Sequence, residues 1–196
     1  MKRSPRMKLF SPKTRTWIGQ WNVRTLYEAG KVAQLAAEMR RYRLEILGVS
    51  EARWNQFGEA ELATGELFIY SGKENKDDVH ERGVGIMLSA RAKKSLMEWE
   101  PIDDRIITAR FDAKIQKITV IQCYAPTNNA EPNEKEEFYN KLQAVVEKAP
   151  NRDIIIIMGD LNAKVGRNNA SIERIMGKEG LGDVNENGEE LVDFCA

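Results

Sequence analysis

Residues 154–157 are four consecutive isoleucines, and Met158 extends the run straight into Gly159, Asp160, Leu161 and Asn162. Five large apolar side chains in a row leave no face for water. The run therefore reads as a tightly buried strand. Such a strand, ending in a carboxylate and a carboxamide, either turns there or delivers those groups to a site. Which of the two applies depends on whether other strands end in the same way.

The rest of the chain supplies the partners. "TWIGQWNV" alternates as a strand does, and "KVAQLAAEMRRYR" places Val32, Leu35, Ala36 and Met39 on one helical face, with Arg40, Arg41 and Arg43 near the end that favours cations. "LEILGVSEARW" follows as a strand, so the three elements have the size of a βαβ crossover. "ELFIYSG", "GVGIMLSA", "RIITARFD" and "KITVIQCYAP" are short alternating runs that predict antiparallel neighbours. A second crossover uses "EKEEFYNKLQAVVEKA", a helix with an apolar stripe of Phe138, Leu142, Val145, Val146 and Ala149, stopped by Pro150. Residues 163–188 are rich in Gly and Asn, and "NGEELVDFCA" reads as a short closing helix. Two βαβ units around an antiparallel meander predict an α/β protein with sheets inside and helices outside.

Bulk properties narrow the class. A chain of 196 residues with 42% hydrophobic and 31% charged residues is globular in composition and long enough to bury a core. No apolar run approaches the roughly 18 residues that span a bilayer, and no secretory apolar stretch opens the chain, so a soluble, intracellular protein without membrane contact is expected. Cys123 and Cys195 form no disulfide framework or metal-knuckle spacing and are expected as free thiols. The single histidine, His80, lies in "NKDDVHERG" and reads as a solvated loop residue. Net charge is zero but uneven: residues 1–58 hold 12 Lys and Arg against 4 Asp and Glu. Residues 1–15 hold six basic residues and no acidic one. They read as a basic flexible tail before a domain over 16–196, able to touch phosphate, to direct nuclear import or simply to remain solvated.

Four apolar runs end in polar residues: Asn22 after "WIGQW", Glu51 after "ILGVS", Tyr124 after "TVIQC", and Asp160 with Asn162 after "IIIIMG". The C-terminal edges of strands joined by crossovers are where ligand sites gather. Oxygen donors without thiolate or imidazole suit a hard cation, and Mg²⁺ takes one or two carboxylates while keeping water and substrate phosphate in its shell. Glu51 is the expected direct ligand. Asp160 is expected to orient or deprotonate a water, Asn22 and Asn162 to hold phosphate oxygens or Asp160, and Tyr124 to donate to charge building on phosphorus. Taken singly, each residue has a plainer reading. Glu51 could pair with Arg24 or Arg53, Asn22 could cap a turn, Tyr124 could be an amphipathic edge residue, and Asp160 with Asn162 could be an Asx turn. Their recurrence on four strands favours phosphodiester hydrolysis.

The motifs "WNVRTL", "GVSEARW", "CYAPT" and "GDLN", in this order, resemble those of the endonuclease/exonuclease/phosphatase family, magnesium-dependent hydrolases that include apurinic-site endonucleases and the endonuclease domains of LINE-type retrotransposons. "RGVGIML" and "NENGEELVDF" fit the same branch, and the resemblance runs from about Thr16 onward. It implies a two-sheet α/β sandwich with outer helices, in which the isoleucine run is a central strand buried on both faces that presents Asp160 at the pocket mouth. It also implies Glu51 as metal ligand with Asn22 beside the metal, Tyr124 as phosphate stabiliser, and Asp160 and Asn162 around the nucleophile. Mg²⁺, with Mn²⁺ as substitute, would be the cofactor, and duplex DNA, nicked or abasic, the partner, in the nucleus.

The sequence departs from the family at one point. Members carry a later Asp and a Ser-Asp-His motif, and no such motif occurs here. The resemblance thus implies a fold incomplete at its C-terminus, as in a truncated product, with reduced stability and weak or absent activity. Loss of a general acid or base costs about 10² to 10⁴ in rate. The alternatives are a non-catalytic remnant that binds DNA, chromatin or another protein, and a phosphatase acting on lipid or nucleotide substrates.

Overall fold

A computed structural model describes residues 9–11, 15–28, 30–168, 170 and 172–196. Of the segment expected as a basic tail, residues 1–8 and 12–14 lie outside this set. Leu9 is buried, and Phe10 bridges Ala113. The chain divides into two compact units, one of residues 1–123 with 149–159, the other of residues 124–148 with 160–196.

The first unit holds the two sheets. The five-stranded sheet comprises β1 (Ile18–Asn22), β2 (Ile46–Ser50), β3 (Phe57–Glu61), β4 (Leu67–Ser71) and β5 (Val84–Leu88), in the order β1-β2-β5-β4-β3. β1 and β2 are parallel, as the crossover through α1 (Lys31–Arg41) requires, and the remaining pairs are antiparallel. The four-stranded sheet has the order β6 (Leu96–Pro101), β7 (Ile106–Phe111), β8 (Ile118–Tyr124) and β9 (Ile154–Asp160), with α2 (Ala90–Ser95) leading into it. Of the four runs expected as antiparallel neighbours, "ELFIYSG" pairs with "GVGIMLSA" in one sheet and "RIITARFD" with "KITVIQCYAP" in the other, so the expected meander is split between the sheets.

Period-two alternation decides which face each side chain takes. Leu47 and Val49 of β2, Phe68 of β4 and Met87 of β5 form a buried cluster with Leu35, Ala36 and Met39 of α1. Burying a Leu or Met side chain contributes about 1.5–3 kcal/mol, so this stripe anchors α1. α1 ends without glycine: Arg43 takes φ 56°, and the Leu44 amide donates to the Met39 carbonyl at 2.9 Å, the closure that usually calls for glycine. The alternate positions of β2 face the other sheet. A Cβ on Gly48 would lie 1.9 Å from Gln122 Oε1 of β8, and the fully buried Gln122 donates through Nε2 to Ser50 Oγ at 3.1 Å.

The isoleucine strand departs from expectation. β9 lies at the margin of its sheet, Ile154 is 46% exposed, and the following residues are half-buried. Met158 reaches the five-stranded sheet beside Gly48, and Ile154 and Ile156, on the same face, line a groove of about 450 Å³ together with Phe10, Ile18, Ile115 and Ile118. The apolar run therefore serves a sheet margin and its groove as well as the inter-sheet core. Three further elements carry weak sequence signals: β3 and β6 are sheet margins with alternating exposed glutamates, and α2 is six residues long.

The second unit contains α3 (Pro132–Lys148), α4 (Glu173–Met176) and α5 (Glu186–Cys195), the last being the expected closing helix. Tyr139 of α3 and Phe194 of α5 meet at 5.9 Å between ring centroids, and the buried Lys135 ammonium donates to Asn128 O and Glu186 Oε2.

Candidate active site

In the first unit, the parallel register sets Asn22 opposite Ser50, so β1 and β2 end together. Asn22 closes β1 and Glu51 directly follows β2. The two side chains meet: Asn22 Nδ2 donates to Glu51 Oε1 at 2.6 Å. Arg53 Nη2 lies 3.5 Å from Glu51 Oε2, one of the pairings expected for this carboxylate, and Asn22 Oδ1 accepts the Arg24 amide at 3.1 Å, which is the turn-capping reading of Asn22. These structural contacts fix the carboxylate's orientation.

The backbone here is strained. Arg24, Glu51 and Arg53 adopt φ of 60°, 58° and 57°. Left-handed conformations in non-glycine residues cost on the order of 1–3 kcal/mol each and persist where the surroundings hold them, which is common at functional sites. The ladder that holds them includes Val23 N to Ser50 O, Leu26 N to Ala52 O and Ala52 N to Gly83 O.

In the second unit, Tyr124 ends β8 and Asp160 ends β9, and the Ala125 amide donates to the Asp160 carbonyl at 2.9 Å. Asn162, at φ 50°, returns its own amide to Asp160 Oδ1 at 3.1 Å, so the anticipated Asx turn is present. Its side chain donates to the Ala125 carbonyl at 2.9 Å. Asparagine tolerates this left-handed conformation better than most residues. Asp160 and Asn162 thus share a short, cross-linked turn beside the end of β8.

Residues not singled out in the sequence hold that turn. Asn185, the N-cap of α5, accepts from the Lys164 and Gly188 amides and donates to the Asn162 carbonyl at 3.0 Å. The buried Asn187 donates to the Pro126 and Asn162 carbonyls, and a Cβ on Gly188 would lie 1.9 Å from the Lys164 carbonyl oxygen. The signal was an N-cap asparagine opening "NENG" before an apolar stripe. What the sequence could not give was the partner 23 residues away. Of the five expected residues, the structure joins Asn22 to Glu51 and Asp160 to Asn162, and Tyr124 precedes the Ala125 whose backbone bonds both Asp160 and Asn162. His80, expected as a solvated loop residue, is half-buried with Nδ1 2.9 Å from the Arg53 carbonyl.

The donor chemistry fits a hard divalent cation. Glu51 offers a carboxylate oriented by an amide, and Asn22 an amide carbonyl. Among the described residues no cluster of three or more His, Cys, Asp or Glu forms a closed metal cage. Hard divalent cations take oxygen donors and fill much of their coordination with water and substrate phosphate.

The family model described as Endonuclease/Exonuclease/phosphatase family matches residues 19–174. The chain belongs to that family. Craniofacial development protein 2 of Bos taurus is 39% identical over 189 residues, covering 96% of this chain and 31% of the relative. The protein of the same name from Tragulus javanicus is 38% identical, covering 98% and 32%. The chain thus spans roughly a third of the length of these relatives. Among solved structures, the endonuclease domain of TRAS1, a telomere-specific non-LTR retrotransposon, aligns with a TM-score of 0.58 at 17% identity over 89% of this chain and 68% of that one. The AP endonuclease LMAP from Leishmania major aligns at 0.60 and 16% identity, over 90% and 65%. At these identities the likeness establishes the fold: two sheets with flanking helices, as in the endonuclease/exonuclease/phosphatase proteins, on a nuclease-like scaffold.

Proposed function

We propose that this member of the family hydrolyses phosphodiester bonds of DNA in the nucleus with Mg²⁺, or Mn²⁺ in its place. The single observation that carries the reading is the Asn22–Glu51 hydrogen bond at 2.6 Å, made by two residues at the ends of parallel strands and maintained with Glu51 in a strained backbone conformation. A surface glutamate needs neither feature. The names of the TRAS1 and LMAP structures, both endonucleases, support DNA as the substrate class.

Glu51 would hold the cation, with Asn22 fixing the carboxylate and lending its amide oxygen. Bound there, such an ion would supply charge neutralisation at the phosphate. Asp160 accepts a proton from the water whose oxygen attacks phosphorus. The bond from phosphorus to the leaving oxygen breaks, and that oxygen takes a proton from solvent. The Asn162 amide keeps Asp160 in one orientation, and the Tyr124 hydroxyl donates to the developing phosphorane charge.

Nicking of supercoiled plasmid and of an abasic duplex, with Mg²⁺ and with EDTA, tests the reading. Metal-dependent nicking that falls at least about 100-fold in Glu51→Gln supports it. Equal nicking by wild type and variant refutes the assignment. Salt-sensitive duplex binding with no metal requirement and no nicking points to the non-catalytic reading instead.

A further inference from the structure

We propose that an aromatic recess beside Glu51 binds an unpaired nucleobase, so that the chain grips a base flanking the phosphate it acts on; this rests on the reading of Glu51 given above. The recess has a volume of about 300 Å³ and is lined by Tyr27, Trp54, Tyr70, His80, Asn55 and Lys76. That is the small end of the range for ligand pockets and suits one planar ring.

Its walls are aromatic and fixed. Tyr27 is 66% exposed, yet its ring packs on His80 at 4.4 Å between centroids with a tilt of 44°. His80 is pinned in turn by the Arg53 carbonyl. Trp54 stands edge-on to Tyr70 at 4.7 Å and to Phe68 at 5.4 Å. Its backbone is closed in by Gly72, where a Cβ would lie 1.7 Å from Trp54 O. Asn55 Nδ2 ties down the 76–80 loop through the Lys76 and Asp78 carbonyls at 3.0 and 2.7 Å, which leaves the Lys76 ammonium exposed at the rim.

Preset aromatic faces stack on bases with little dependence on sequence, and a nearby cation suits the adjoining phosphate. Arg53 joins the recess to the carboxylate, with its guanidinium 3.5 Å from Glu51 and its carbonyl on His80. A structural role accounts for Trp54 and Tyr70, which pack against the core cluster, but not for Tyr27, which holds two-thirds of its surface in water on a loop.

The test is fluorescence anisotropy in EDTA, with a labelled oligothymidylate and a strand of equal length and charge built of abasic tetrahydrofuran residues. Wild type should bind the base-bearing strand about tenfold more tightly, within the range expected for one stacked base. Tyr27→Ala and His80→Ala should bring the two strands to within about twofold, and Tyr27→Phe should retain the preference. Equal binding of both strands by wild type, or an undiminished preference in Tyr27→Ala, overturns the proposal. Glu51→Gln should keep the preference. Nicking that depends on Glu51 without any base preference would leave the hydrolytic reading standing and remove this one. A base preference without nicking would do the reverse.

Discussion

At the scale of single residues, each side chain of the candidate site has a structural contact beside its proposed chemical role. Asn22 caps a turn and orients Glu51; Asp160 forms an Asx turn and presents a carboxylate. The polar strand ends were legible because four apolar runs hand over to polar residues, Asn22, Glu51, Tyr124 and Asp160 with Asn162, a recurrence that chance explains poorly. Glu51's left-handed backbone was not legible, since nothing in "GVSEARW" calls for φ 58° in the way that glycine would. A carboxylate kept in an unfavourable conformation is expected to trade stability for function. Glu51→Asn, which tolerates that conformation and lacks the reach of the longer carboxylate, should melt no lower than wild type in differential scanning calorimetry while nicking falls about 100-fold. A melting temperature well below wild type would show that Glu51 is there for stability.

At the scale of elements, close approaches and buried pairs decide what the sheets tolerate. Gly159 has φ 147°, and a Cβ there would lie 1.9 Å from the Cys123 carbonyl oxygen. Gly159→Ala should therefore cost more than about 2 kcal/mol in urea unfolding, beyond the usual range of surface substitutions. Asp153, just before β9, accepts from Arg110 Nε at 2.6 Å and from Thr119 Oγ1 at 3.0 Å, with its side chain 3% exposed. The Arg110 guanidinium holds its carboxyl below the usual carboxylate range, against the opposing effect of burial. The folded value lies below the unfolded one of about 3.9, so this stabilisation is complete above that pH and is lost as pH falls through the folded value. Urea midpoints should drop as pH is lowered below about 4, and Asp153→Asn should show a shallower drop from a lower starting stability. Asn185→Ala should cost about 1 kcal/mol or more, because it removes a helix cap and the support of Asn162 together. α1, α3, α5 and the strands β1, β2, β4, β5, β7 and β8 were legible, α2, α4, β3 and β6 were not, and β9 was misplaced to the sheet's centre. An apolar run does not distinguish the centre of a sheet from a margin beside a groove.

At the scale of the whole molecule, motif order identified the family because chemistry constrains residues at strand ends more tightly than it constrains the strands between them. Sequence could not reveal that β1 and β9 both lie at sheet margins beside one apolar groove, since that follows from strand order. The groove should bind the dye ANS in the folded protein, and Ile154→Lys, at a half-exposed position of little cost to stability, should at least halve the fluorescence. Unchanged fluorescence would place the dye elsewhere. No described helix is long and apolar enough to cross a membrane. The central claim is that Asn22 and Glu51, from two neighbouring strand ends, act as one catalytic unit, and a double-mutant cycle on nicking rate addresses it most directly. Glu51→Gln and Asn22→Ala should each slow nicking by about 100-fold or more, and the double variant should be no more than a few-fold slower than the worse single one. Losses that multiply, or a single variant that nicks as wild type does, would contradict it.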